Sequence, residues 1–256
     1  MEEQPGNDAP FVWPTVRTLS PIAPIQWLSR GFADMLGAPF ASLFYGVILG
    51  LMGFVLTHYF GGAVGVALTT GFLLAGPFLA VGLYDISRRL EQSDAVVLAP
   101  TLTAWRANAP GIGFYALILM LSLAIWLRVS VVLVALFIPD DVNSVSDLAR
   151  VLINDSEMWT LTAVYLGFGA LLAAFAFSTS VVALPMLLDR VTMDPISAMI
   201  ISFKLIKQNP LPMLIWAILI VALTAVGFFL WFAGLVVTVP LIGHATWHAY
   251  RGSVDD

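Results

Sequence analysis

The 256-residue chain contains no cysteine, which removes disulfides, thiolate metal sites, cysteine-ligated iron–sulfur clusters and thioether-attached haem from the reading. Charge is almost as scarce: charged residues make up 11% of the chain against 60% hydrophobic, and there are three histidines. A chain so poor in charge lacks the surface of an ordinary soluble globule. Its formal net charge of −5 argues against nucleic acid as a partner. No basic start leads into an apolar run in "MEEQPGNDAPFVWPTVRTLSP", so a cleaved signal peptide is not expected. Residues 1–20 and 253–256 are expected to be cytoplasmic tails, the first disordered, around a single membrane domain over 21–252.

What the chain does have is hydrophobic length. Apolar stretches run over 38–60, 62–84, 111–138, 158–188 and 210–250. Apolar runs of about 20 residues span a bilayer as helices, and the last stretch, long enough for two, divides at "GFFLWFAG". The expected fold is all-α: a polytopic membrane protein of six transmembrane helices arranged as three hairpins. Arg17, Arg30, Arg88, Arg89, Arg106, Arg190, Lys204, Lys207 and Arg251 fall on the side of both termini. The loop at 139–157 holds Arg150 beside five carboxylates, Asp140, Asp141, Asp147, Asp155 and Glu157. The positive-inside rule then places both termini in the cytoplasm of a bacterial inner membrane.

Short amphipathic or aromatic-basic stretches precede the hairpins: "IQWLSRGFADMLGAP", "TLTAWRANAP" and "DPISAMIISFKLIKQNP". In the third, Asp194 caps a helix starting at Pro195. Ile196, Met199, Ile200, Phe203 and Ile206 form an apolar stripe facing away from Lys204, Lys207 and Gln208, as an interfacial helix requires. The second arms end in "GPFLAVGLYDISRR", "LPMLLDR" and "VPLIGHATWHAYR", and together with the preceding stretches these endings point to a threefold internal repeat. If the repeat holds, the second arms share an axis and bring Asp85, Asp189 and His248 together with Arg88, Arg190 and Arg251. The alternative is that aromatic and basic residues merely mark one depth in the membrane.

His244 and His248, four apart, share a helical face and are spaced for two metal ligands, with Asp85 or Asp189 as a third. No H-E-x-x-H accompanies them, and an interfacial belt of His, Trp247, Tyr250 and Arg251 is the favoured reading. Arg128 is the basic residue set deepest in a span. It is either a functional group needing a partner or a side chain snorkelling towards Asp140 and Asp141. Gly46 and Gly50 in "GVILG" read as a helix-packing pair, not a nucleotide loop. No nucleotide-binding, Ser/His/Asp or paired-carboxylate pattern appears, so neither catalytic activity nor a cofactor is expected beyond bound lipid.

The motifs "APIQWLSRGFADM", "GPFLAVGLYDISRRLE", the "NP" at 209–210 and "PLIGHATWHAYR" resemble a bacterial family of predicted integral membrane proteins called domain of unknown function 2189. Some members of that family carry the label cytochrome c oxidase. The chain lacks the deep histidines and the cysteines that the haem and copper of an oxidase need. The resemblance therefore implies an accessory or assembly role beside oxidase subunits. The alternative is a small transporter or channel gated near Asp85, Asp189 and His248.

Overall fold

Pro39 separates two helices of different purpose. In the computed structural model, which describes residues 13–59, 79–137 and 156–255, α1 (Ala23–Gly37) and α2 (Pro39–Tyr59) meet at a bend of 105°. Proline cannot donate the next helical hydrogen bond, so the chain turns there. Helix α1 is amphipathic: Trp27, Gly31 and Met35 are buried, while Ile25, Phe32 and Leu36 face outward. Helix α2 is apolar all round.

The helix over 79–91 is α3. A short turn of helix, α4 (Leu98–Thr101), and a 3-10 turn (Ala104–Asn108) lead into α5 (Ala109–Phe137). Helices α6 (Ser156–Ser180) and α7 (Ala183–Asp189) follow, then the interfacial-type helix α8 (Pro195–Gln208). The chain closes with a hairpin of α9 (Pro210–Phe229) and α10 (Leu235–Ser253). Trp231 and Phe232, both at positive φ, form its turn, and the Phe232 ring lies against Gly53 of α2.

Among the described residues, Ala104–Leu133, Thr162–Asp189 and Pro210–Phe229 are long and apolar enough to cross a membrane. Ala23–Gly37 with Pro39–Val55 qualifies as a fourth if the bent pair is one span. The protein is thus an integral membrane protein of helices, with three to four candidate spans where six were expected. Most of the stretch 62–84 lies outside the described residues, as does nearly all of the acidic loop. Helix α10 falls short on composition, because its last half carries His244, Thr246, His248 and Arg251.

Buried side chains concentrate towards one end, where α2, α5 and α9 begin and α3, α7 and α10 finish. Trp27, Tyr84, Ile112, Tyr115, Met186, Leu187, Ile201, Leu205, Trp216, Trp247 and Tyr250 belong to this core. Further along α5 and α9, Leu121, Ile125, Val131, Ile218 and Val221 are exposed apolar residues. Such surface suits hydrocarbon and not water.

Helix α8 is capped as its sequence implies, with Asp194 Oδ1 accepting from Ser197 N–H at 2.9 Å. Its protein-facing side is Ser197, Ala198, Ile201, Ser202 and Leu205. Ile196, Ile200 and Phe203 of the expected stripe point outward. A helix set between protein and lipid turns its largest apolar side chains to the lipid.

Residues 13–20, read as tail, are held in place instead. Val16 and Val254 form a β-bridge. Arg17 N–H donates to the Ser253 carbonyl, Asp255 N–H to that of Thr15, and Arg17 pairs with the Asp255 carboxylate. Asn209 fixes the same segment, accepting from Leu19 N–H at 2.7 Å and donating to the Arg17 carbonyl at 2.9 Å.

Candidate functional site at the polar end of the helices

The helix ends gather the chain's polar side chains into one layer with α10 at its centre. Close packing brings α10 into reach of its partners: a Cβ on Gly31 of α1 would lie 2.6 Å from Ala245 N, and one on Gly243 would lie 2.6 Å from the Leu83 side chain of α3.

His244 is fully buried between two serines. Ser42 Oγ on α2 lies 2.8 Å from Nε2, and Ser87 Oγ on α3 lies 2.8 Å from Nδ1. Ser42 has one hydroxyl proton and also lies 2.8 Å from the Ala38 carbonyl, which can only accept. We therefore assign Nε2–H as donor to Ser42 and Nδ1 as acceptor from Ser87. Both ring nitrogens are committed, so this imidazole ties three helices together and offers no lone pair to a metal.

His248, one turn on, faces another way: its Nε2 lies 2.8 Å from Asp34 Oδ2 on α1. Asp85, also fully buried, is held within its own helix by Arg88 at 2.6 Å and Arg89 at 2.7 Å. Asp189, at the end of α7, accepts from Tyr250 OH at 2.8 Å and lies 3.7 Å from Arg251. Arg251 also donates to Glu91 Oε1 at 3.1 Å, while Trp247 Nε1 donates to Glu91 Oε2 at 2.9 Å. Arg190 donates to the Tyr250 hydroxyl at 3.2 Å and to the Asp255 carbonyl at 2.6 Å.

Of the residues singled out in the sequence, Asp189, Arg190 and Arg251 therefore meet around Tyr250, whereas Asp85 pairs with Arg88 and Arg89 and His248 with Asp34. Among the described residues, no three His, Asp or Glu side chains are placed to hold a metal ion. Arg128 stands apart on α5 as an exposed residue, with no carboxylate against it among the described residues. Asp140 and Asp141 lie outside those residues, as does the side chain of His58.

The sequence reading passed over Asp34, Ser42, Ser87, Glu91 and two asparagines. Asn108 Nδ2 donates to the carbonyls of Leu187 and Met193, each at 3.2 Å, and its Oδ1 accepts from Gly111 N–H. Asn108 and Asn209 both stand where a span begins, two residues and one residue ahead of a proline. An asparagine close before a proline at the start of a span was the available signal.

Among the described residues outside the membrane-spanning helices, Asp194 and Asp255 have shifted acidities. The Ser197 hydroxyl and N–H hold Asp194 below the usual carboxylate range, and a hydrogen bond from Arg17 does the same for Asp255.

No curated protein and no solved structure matches the chain. One family match covers α3 to α7, with Asp85, Asp189 and Arg128, and stops short of α10 and its histidines. Over residues 65–189 the chain matches the model of the family described as predicted integral membrane protein (DUF2189).

Proposed function

We propose that the protein is a non-catalytic membrane component that works by helix contact. The observation that carries this reading is the commitment of its polar groups: Asp189, His244, His248, Glu91 and Arg251 are spent on joining helices to one another, and Asp85 on pairing with Arg88 and Arg89 of its own helix. Its surface, by contrast, offers the apolar lengths of α5 and α9, with Leu117, Leu121, Ile125, Leu214 and Ile218 outward. Such a surface suits lipid and other helices.

The specific form of the proposal is an accessory or assembly role beside a respiratory oxidase, which rests on the label carried by some members of the family that the chain resembles. Affinity purification from native membranes in mild detergent tests it. Co-purification with a haem protein is the expected result; recovery of the protein alone would overturn it. We place the protein in a bacterial inner membrane as six spans in three hairpins, with both termini cytoplasmic. The clustering of Arg17, Arg30, Arg88, Arg89, Arg190, Lys204 and Arg251 towards one end supports this topology. Because the chain has no cysteine of its own, Ser93→Cys provides a clean accessibility probe. Labelling from the cytoplasmic side alone is expected.

A second reading, a small transporter gated near Asp85, Asp189 and His248, is favoured by one feature. Arg251 bridges Glu91 of α3 and Asp189 of α7, so the ends of three helices are joined by exchangeable ion pairs. Growth phenotypes unchanged by Asp85→Asn combined with His248→Ala would remove this reading.

A further inference from the structure

Helix α8 carries two kinds of surface on one outward face. Ile196, Ile200 and Phe203 are exposed towards its start, and Lys204 and Lys207 are exposed towards its end. Phe203 and Lys207 stand four apart, as do Ile200 and Lys204, so the apolar and basic parts form one continuous strip.

Each part borders a hollow. The apolar part closes one side of an open groove of about 440 Å³, whose other walls include Phe114 and Ile118 of α5 and Phe175 of α6. The Ser178 and Thr179 hydroxyls on that groove donate to the Ala174 and Phe175 carbonyls of their own helix, at 2.6 and 2.9 Å, so neither has a proton to offer a guest. Phe114 and Ile118 lie one to three turns into α5, which at about 1.5 Å per residue sets the groove roughly 8–14 Å below the helix start, at the depth of acyl chains.

The basic part borders a second hollow, of about 510 Å³, between Lys204, Lys207 and Gln208 on one side and Trp13 to Val16 of the N-terminal segment on the other. No carboxylate lines it. Asp255, which accepts from Thr15 beside it, is already paired with Arg17. Lys204 Nζ lies 5.2 Å from the centre of the Trp13 ring, and among the described residues neither lysine has a carboxylate within ion-pair distance. Lysines in a last helical turn also complement the helix dipole, but that role calls for neither the hollow nor the groove next to it. A soluble anion would use the lysines alone, and an uncharged lipid the groove alone. A molecule with an anionic head and a hydrocarbon tail uses both.

We infer that the outward face of α8 is a binding site for an anionic phospholipid, its phosphate between Lys204 and Lys207 and one acyl chain in the groove lined by Phe114, Phe175, Ile200 and Phe203. The site needs only that the helices lie in a bilayer, so it stands or falls apart from the scaffold role proposed above.

Native mass spectrometry of the full chain in detergent, titrated with dioleoyl phosphatidylglycerol or dioleoyl phosphatidylcholine, counts the bound lipids. One phosphatidylglycerol is expected to bind saturably, at a concentration about five- to thirtyfold below that needed for phosphatidylcholine, since each lysine beside an anionic headgroup is worth about fivefold in affinity. Lys204→Gln combined with Lys207→Gln should remove that preference while the affinity for phosphatidylcholine stays unchanged. Arg30→Gln combined with Arg106→Gln, which removes two exposed charges elsewhere, should leave the preference intact. Ile200→Trp, an outward substitution that obstructs the groove, should weaken both lipids about three- to tenfold. Equal affinity for the two lipids in the wild type, or an equal loss from either pair of substitutions, would overturn the inference and leave general surface charge only. Displacement of the bound lipid by millimolar inorganic phosphate would overturn it in favour of a soluble anion. A dimer that takes up neither lipid would overturn it in favour of a second copy of the chain lying on the groove.

Discussion

Gly46 of α2 rests directly on the Val236 carbonyl of α10: a Cβ at position 46 would stand 2.1 Å from that oxygen. Pro240, inside α10, has no N–H to donate to the carbonyl four residues back, which is that of Val236. A freed carbonyl and a glycine Cα thus face each other, an arrangement suited to a Cα–H···O contact. Gly50, one turn on, would bring a Cβ 3.0 Å from the Phe232 carbonyl.

Gly46→Ala therefore forces α2 and α10 apart and should cost about 1–3 kcal/mol, the range for overpacking, with a smaller loss for Gly50→Ala. Gly113 and Gly167, in α5 and α6, would meet nothing within 4 Å. Alanine there should be neutral or stabilise by up to about 1 kcal/mol through helix propensity. Thermal unfolding of the four variants in one detergent ranks them, and a Gly46→Ala midpoint no lower than that of Gly113→Ala would contradict the packing.

His244 joins α2, α3 and α10 through Ser42 and Ser87. His244→Ala should destabilise by about 1–3 kcal/mol for the hydroxyl left unsatisfied, with a further loss for the space vacated. Since both ring nitrogens are engaged, added zinc should leave the wild-type unfolding midpoint unchanged. A zinc-dependent rise in the wild type that disappears in His244→Ala would show a metal site after all.

Hydropathy located α5, the α6–α7 pair and α9, because a bilayer asks for apolar length and little else. Local chemistry was also legible: the Asp194–Pro195 start of α8 and the Gly46–Gly50 packing face follow from short-range rules. The partnerships of the polar layer were not. Asp34 meets His248 and Ser42 meets His244 across more than two hundred residues of chain, and no periodicity encodes such pairings. The outward stripe of α8 is what an interfacial helix requires. In water an apolar face marks the core, but beside lipid Ile196 and Phe203 can sit outside while Ser197 and Ser202 turn inward. Hydrophobic pattern identifies burial from water and does not separate protein from membrane.

Asp194 supplies the pH dependence. Its folded carboxyl titrates below the usual range because it accepts hydrogen bonds from Ser197, so the ionised form is the stabilising one. The contribution is complete above the ordinary carboxylate value of about 4. It is lost as pH falls through the lower folded value. Asp194→Ala should thus cost about 1 kcal/mol at pH 7, the typical worth of an N-cap, and the gap from wild type should close in strong acid. Unfolding midpoints measured across that range test the sign; a gap that widens on acidification would contradict it.

Asp85 presents the sharpest electrostatic contrast in the layer, since the carboxylate is fully buried while Arg88 and Arg89 keep 24% and 26% of their side-chain surface. Its two oxygens are divided between them, one each. Removing one arginine leaves the other to neutralise the carboxylate, so Arg88→Gln or Arg89→Gln alone should cost no more than about 1 kcal/mol. Removing both strands a buried negative charge, for which losses of about 3–5 kcal/mol are typical. Asp85→Asn should fall between, because the two guanidiniums it releases can turn towards water. The double substitution must then exceed the sum of the singles, and a thermodynamic cycle over the four proteins measures that excess directly. Strict additivity would mean that Asp85 draws its stabilisation from other neighbours on α3 or α2, and that the two arginines serve the membrane surface instead.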